Sequence, residues 1–189
     1  MAGAKTYRMA IRNAVRGYWK HLFSYEQFFS LMMMATEQGI TEAGFTGARN
    51  CGIMPSELDY IQQRAILNMV LREQQWINGF AEAIEQSEKL TPMFKRADIW
   101  IGRFEGARDE MQLLLCDGAV RMKWVAPLGE CKSCAALDGQ IRTTEYWNIV
   151  GVRPREHDSK LLACGGWKCR CSLVVTDEPL SKGKFPSLP

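Results

Sequence analysis

Five of the seven cysteines fall between positions 131 and 171, in CKSC (131–134) and CGGWKCRC (164–171). Cys-x-x-Cys is the spacing at which one tight turn offers two thiolates to a single tetrahedral ion. The second half, Cys-x4-Cys-x-Cys, is less regular, and Gly165 and Gly166 let its backbone fold close. Side chains two apart on a strand point the same way, so either Cys169 or Cys171 can serve. Zinc takes four ligands at about 2.3 Å, so five thiols are one more than one ion uses. The expectation is one structural zinc held by four of Cys131, Cys134, Cys164, Cys169 and Cys171. Cys131 and Cys134 form the first pair. Cys164 with Cys169 or Cys171 completes the set, and His157 is a substitute ligand. The competing arrangement, two disulfides and a free thiol, suits a secreted domain. The N-terminus is basic but has neither an apolar h-region nor a small-residue cleavage site, so reduced thiols in the cytosol and a metal are expected. Cys51 and Cys116 lie on helical segments and read as core residues.

The 189 residues suffice for one good-sized domain or two small ones. Residues 1–117 read as a helical assembly domain. Ile11, Ala14, Tyr18 and Leu22 recur on one helical face. Ser24 caps a second helix carrying Phe28, Leu31, Met32 and Ala35, after which Gly39, Gly44 and Gly47 loosen the chain. Met32, Met33 and Met34 cannot all face one side of a helix. Pro55 opens a stripe through Leu58, Ile61, Ala65, Met69, Trp76, Phe80 and Ile84, which predicts one extended helix to about Ser87. Thr91 and Pro92 restart a helix with Ala97, Ile101, Phe104, Arg108, Met111 and Leu115 inward, ended by Gly118.

The texture then changes. RMKWVAP (121–127) alternates like a strand, Asp138-Gly139 is a turn feeding a second strand to Thr143, and 143–151 is a short helix capped by Thr143 or Thr144. CSLVVTDEP (171–179) is a third strand. The fold class is therefore α+β: long amphipathic helices followed by a cysteine-rich zinc-binding module over 118–178, with 179–189 as an extended tail.

The most apolar run, FFSLMMMA (28–35), is too short to span a bilayer. Charge is uneven: residues 1–117 carry 13 Lys/Arg against 14 Asp/Glu, and residues 118–189 carry 11 against 7. The basic C-terminal excess admits contact with nucleic acid. Arg121, Lys123, Arg142, Arg153, Arg155, Lys168 and Arg170 would meet phosphates, and Trp147 or Trp167 would stack on bases. Catalytic constellations are missing. The His-x-Glu partner of zinc deaminases is absent, two histidines are too few for a His-rich nuclease, and there is no phosphate loop or Ser/His/Asp set. His157 with Glu156 or Asp158 is the only candidate set for a toxin-like nuclease. The chain reads as no enzyme, with no small-molecule substrate.

RADIWIGRFEGARDEMQLL (96–114), KWVAPLGECKSCAALDGQIRTTEYW (123–147) and LLACGGWKCRCSLVVTDEP (161–179) together resemble the C-terminal module of tailed-phage minor head (head morphogenesis) proteins, the Mu F-like group. That pattern is Cys-x-x-Cys, a Leu-x-Gly turn, a Trp, and a closing Cys-x-Cys after a His or Cys. Cys131, Cys134, Leu137, Gly139, Trp147, Cys164, Cys169 and Cys171 match it in order, over roughly residues 90–180. Cys164 stands where many members carry His. The resemblance implies a virion protein in the phage head, assembled in the host cytoplasm. It would act at the portal or major capsid protein in several copies or as a homo-oligomer, in head assembly and genome packaging or delivery.

Overall fold

The computed structural model describes residues 2–127, 129–156, 159–166 and 169–188. It is an α+β structure, mainly helical, with one small antiparallel sheet and a cysteine-rich module. The helices are α1 (Ala2–Trp19), α2 (Tyr25–Asn50), α3 (Tyr60–Gln74), α4 (Ile77–Glu85) and α5 (Leu90–Leu115). The strands β1 (Arg121–Val125), β2 (Ile141–Thr143) and β3 (Ser172–Val175) are joined through the short helices α6 (Lys132–Leu137) and α7 (Thr144–Val150). The chain divides into two compact units, one ending at Phe45 and resuming over Ser56–Ala107, the other comprising Thr46–Pro55 and the residues from Arg108 onward. Among the described residues no helix is long and apolar enough to cross a membrane.

In the first unit α1 buries Ile11, Ala14, Val15 and Tyr18, while Leu22 falls beyond the helix and is exposed. An aromatic chain runs through this core: Tyr18 stacks on Phe28 at 4.6 Å, Phe28 meets Phe80 edge-on at 6.4 Å, and Phe80 stacks on Trp100 at 4.8 Å. Met32 is buried and Met34 exposed, so the methionine run is split between faces.

Two expectations fail here. The glycines of α2 do not loosen it, because the helix is continuous to Asn50. They let neighbours approach instead. A Cβ at Gly39 would strike the Tyr7 ring, and one at Gly44 would strike Ile66. The extended helix from Pro55 to Ser87 is also absent. Pro55–Glu57 is one 3-10 turn, and Asp59 starts α3 with a capping box, its side chain accepting from Gln62 N while the Gln62 side chain accepts from Asp59 N. The chain then breaks at Gln75–Trp76 before α4. The break resets the helical phase: α3 buries Ile66, Met69, Val70 and Glu73 and leaves Ile61 exposed, and Trp76, the N-cap residue of α4, is exposed as well.

In the second unit the strand order is β2-β1-β3, with Trp124 opposite Leu173 and Met122 opposite Arg142. Met122 and Trp124 point inward from β1, as the alternation requires. Thr143 caps α7 by accepting from Tyr146 N at 3.2 Å. Gly139, with φ of +74°, makes the predicted turn. Trp147 is fully buried, donates to Met122 O at 3.1 Å, and lies 5.7 Å from the Trp124 ring.

The segment from 179 onward does not extend away from the module. Ser181 N donates to Ile141 O at 3.0 Å and Ser181 Oγ accepts from Ile141 N at 2.9 Å, so the tail occupies the free edge of β2. Phe185 then packs 5.6 Å from Tyr146 and 5.8 Å from Trp147. Backbone groups left open on β2 and an apolar ring with a place to go outweigh the Pro/Gly/Ser composition.

Candidate metal centre

Cys131 is the N-cap residue of α6 and Cys134 lies one turn into it, which puts the two thiols on one side of a single helical turn. The other three come from the loop before β3. Ser133 Oγ accepts from Ala163 N at 2.9 Å and ties that loop to α6 next to Cys164. Gly165 and Gly166 follow with φ of +62° and +78°, and the Glu156 backbone leaves no room for a side chain at Gly166. Arg155 holds the far side. Its Nε donates to Cys171 O at 3.0 Å and its Nη2 to Arg170 O at 2.9 Å.

All five predicted cysteines converge. Sulfur and oxygen donors within 4.8 Å of one another fall into two sets: Cys131, Cys134 and Cys164, and Cys134, Cys169, Cys171 and Glu130. Cys134 belongs to both. Cys134, Cys169 and Cys171 are buried, while Cys131 and Cys164 are half-buried. The Cys134 and Cys169 sulfurs are 3.8 Å apart. Two thiolates at about 2.3 Å from one tetrahedral ion stand about 3.8 Å apart, so this spacing fits zinc–thiolate geometry. Hydrogen bonds from Cys134 and Cys171 hold the Cys169 thiol far below the ordinary range, and the same sharing with Cys169 raises Cys134. Burial pushes Cys164 up to about 11. Metal binding by such thiols releases their protons. The cluster can hold a metal ion.

Glu130 is the donor that the cysteine pattern does not reveal. Its side chain is only 4 % exposed, and Oε1 accepts from Arg170 Nε at 2.7 Å. A carboxylate directly preceding Cys-x-x-Cys is the one signal that points to it. His157 lies outside the described residues, as do Asp158, Trp167 and Lys168.

Cys51 and Cys116 are not two independent core thiols but a disulfide. Cys51 follows α2 and Cys116 follows α5. Gly47 packs against Arg108 O and the Met111 Cβ, and this close approach brings the two helix ends together. A pairing across 65 residues leaves no local trace.

Five of the seven basic residues expected to meet phosphates have intramolecular partners. Arg121 donates to Glu178 O and Lys123 pairs with Glu178 at 2.9 Å. Arg142 is buried, donates to Ser181 O and Gly183 O, and lies over the Tyr146 ring. Arg155 and Arg170 serve the cysteine loop as described. Trp147 has no face open for a base. Compared with known proteins, the chain matches no family model, no curated protein and no solved structure.

Proposed function

We propose that the chain is a minor head protein of a tailed phage whose C-terminal module is stapled by structural zinc, and that it acts without turnover in head assembly at the portal or inner capsid. One observation carries this reading. The residues of the ordered Cys-x-x-Cys, Leu-x-Gly, Trp, Cys, Cys-x-Cys pattern are the ones that build the second unit: Cys134, Leu137, Trp147, Cys169 and Cys171 share one buried core. Five clustered thiol side chains suit a structural ion. The internal partners of Arg121, Lys123, Arg142, Arg155 and Arg170 favour this reading over a nucleic-acid surface.

Two measurements test it. Native mass spectrometry of protein purified without chelator is expected to show bound zinc. Co-expression with the portal protein of the same phage is expected to yield co-purifying complexes, with the chain retained in assembled heads. A monomer that binds no portal and enters no head overturns the assembly role, and a metal-free mass overturns the zinc.

A further inference from the structure

We propose that the cluster is built for two metal ions bridged by the Cys134 thiolate, rather than for one ion and a spare thiol. This rests on the zinc reading above and concerns its stoichiometry and ligands. The donors are not spread around a single centre. They form two sets of mutually close atoms that meet only at Cys134, one completed by Cys131 and Cys164, the other by Cys169, Cys171 and Glu130. A thiolate has the lone pairs to bind two cations, and Cys134 sits where both sets need it. One ion would take Cys134, Cys169, Cys171 and the Glu130 carboxylate, a complete set of four. The second would take Cys131, Cys134 and Cys164, with one position left for water on the half-buried side.

Charge favours the same arrangement. Five thiolates and a carboxylate are six negative donors in one largely buried place, a burial that is costly unless opposite charge accompanies it. Two dications supply four positive charges. The guanidiniums of Arg170, 2.7 Å from Glu130, and of Arg155, bonded to the Cys171 and Arg170 carbonyls, supply the other two. A single ion would leave an excess of negative charge or a protonated thiol. Glu130 accepts from Arg170 Nε at 2.7 Å and from Arg170 N at 3.5 Å, and its side chain, only 4 % exposed, places a carboxylate oxygen within 4.8 Å of the Cys134, Cys169 and Cys171 sulfurs.

The test is metal stoichiometry of the full chain, by native mass spectrometry after equilibration with a slight excess of zinc and removal of loosely bound metal. The expected mass is the chain plus two zinc ions. Cys131→Ser with Cys164→Ser should retain one ion, and Glu130→Gln should weaken one ion while leaving the other at its wild-type affinity. With cadmium in place of zinc, two distinct cadmium NMR signals are expected, coupled through the shared sulfur. One zinc per wild-type chain at saturation overturns the two-ion site and leaves the zinc staple intact, whereas no zinc overturns both. Complete metal loss from the folded Cys131→Ser/Cys164→Ser variant also overturns it, because the second donor set should hold an ion alone. If that variant does not fold, the wild-type count decides.

Discussion

Asp109 offers the sharpest test of how the cysteine module is held to its helix. β3 is an edge strand, so the outward N–H and C=O of Leu173 need partners from elsewhere. The end of α5 supplies both: Asp109 Oδ2 accepts from Leu173 N at 3.0 Å, and Gln112 Nε2 donates to Leu173 O at 3.1 Å. Asp109 Oδ1 also accepts from Arg108 Nη2 at 2.6 Å. Asp109→Ala removes the acceptor and leaves the Leu173 N–H without one, at a cost of about 2 kcal/mol. Asp109→Asn keeps an oxygen for Leu173 and isolates the charge. Burial raises the Asp109 carboxyl to about 6, against the pull of Arg108 and of the Leu173 N–H. Its value in the unfolded chain is about 3.9. Between those values the folded state binds more protons than the unfolded state, so the contribution of Asp109 is most favourable in acid and is lost as pH rises through about 6. The stability of wild type relative to Asp109→Asn should therefore increase by roughly 1 kcal/mol from about pH 7.5 to about pH 5. Urea denaturation followed by circular dichroism, run on both proteins at each pH, gives this difference and cancels the acid sensitivity of the thiols they share. A flat difference refutes the argument, and a difference that falls with acid would mean that Arg108 outweighs burial.

Other perturbations test separate parts of the structure. Stripping metal with a chelator should weaken the near-ultraviolet dichroism of Trp124 and Trp147, which share a core with Cys134, Cys169 and Cys171. Metal affinity should rise with pH, since Cys164, raised to about 11, must lose its proton to bind. Replacing both Cys51 and Cys116 with Ser opens a loop of 65 residues and should lower stability by about 4 kcal/mol on loop entropy, read from the shift in denaturation midpoint. Phe185→Ala should cost about 2 kcal/mol and expose the segment after Pro179's neighbour Leu180 to limited proteolysis, because the ring packs on Tyr146 and Trp147. Gly39→Ala should destabilise by about 2 kcal/mol, seen as a lower melting temperature, because its Cβ meets the Tyr7 ring.

The periodic parts of the fold were legible because one energy dominates them. Ile11, Ala14 and Tyr18, or Met122 and Trp124, are spaced by the period of their own element, and burial follows that period. The failures occur where a distant partner decides. Gly39 and Gly44 read as loosening because glycine weakens an isolated helix, yet in the fold each admits a side chain from another helix. Trp76 extended the apolar stripe from α3, but local geometry ends the helix before it and starts α4 in a new phase. The clustering of the five cysteines is legible from their spacing. Glu130 is not, because a buried carboxylate is indistinguishable in sequence from a solvated one.

These long-range devices share a cause. The sheet of the second unit has strands of five, three and four residues, and a sheet that small does not stand alone. Each of its outer edges is closed from elsewhere in the chain, β3 by Asp109 and Gln112 and β2 by Ser181. Its loops are tied by Ser133, Arg155 and the thiol cluster, and the helix ends that carry it are joined by Cys51–Cys116. A module held in this way concentrates its stability in few contacts. Removing bound metal should therefore unravel the loop before β3 first, because Cys164, Cys169 and Cys171 lie in it while Leu173 remains held by α5. Hydrogen exchange of the metal-stripped protein would show fast amides over 161–166 and a protected Leu173. Equal exposure of both would mean that the ion, rather than α5, holds β3.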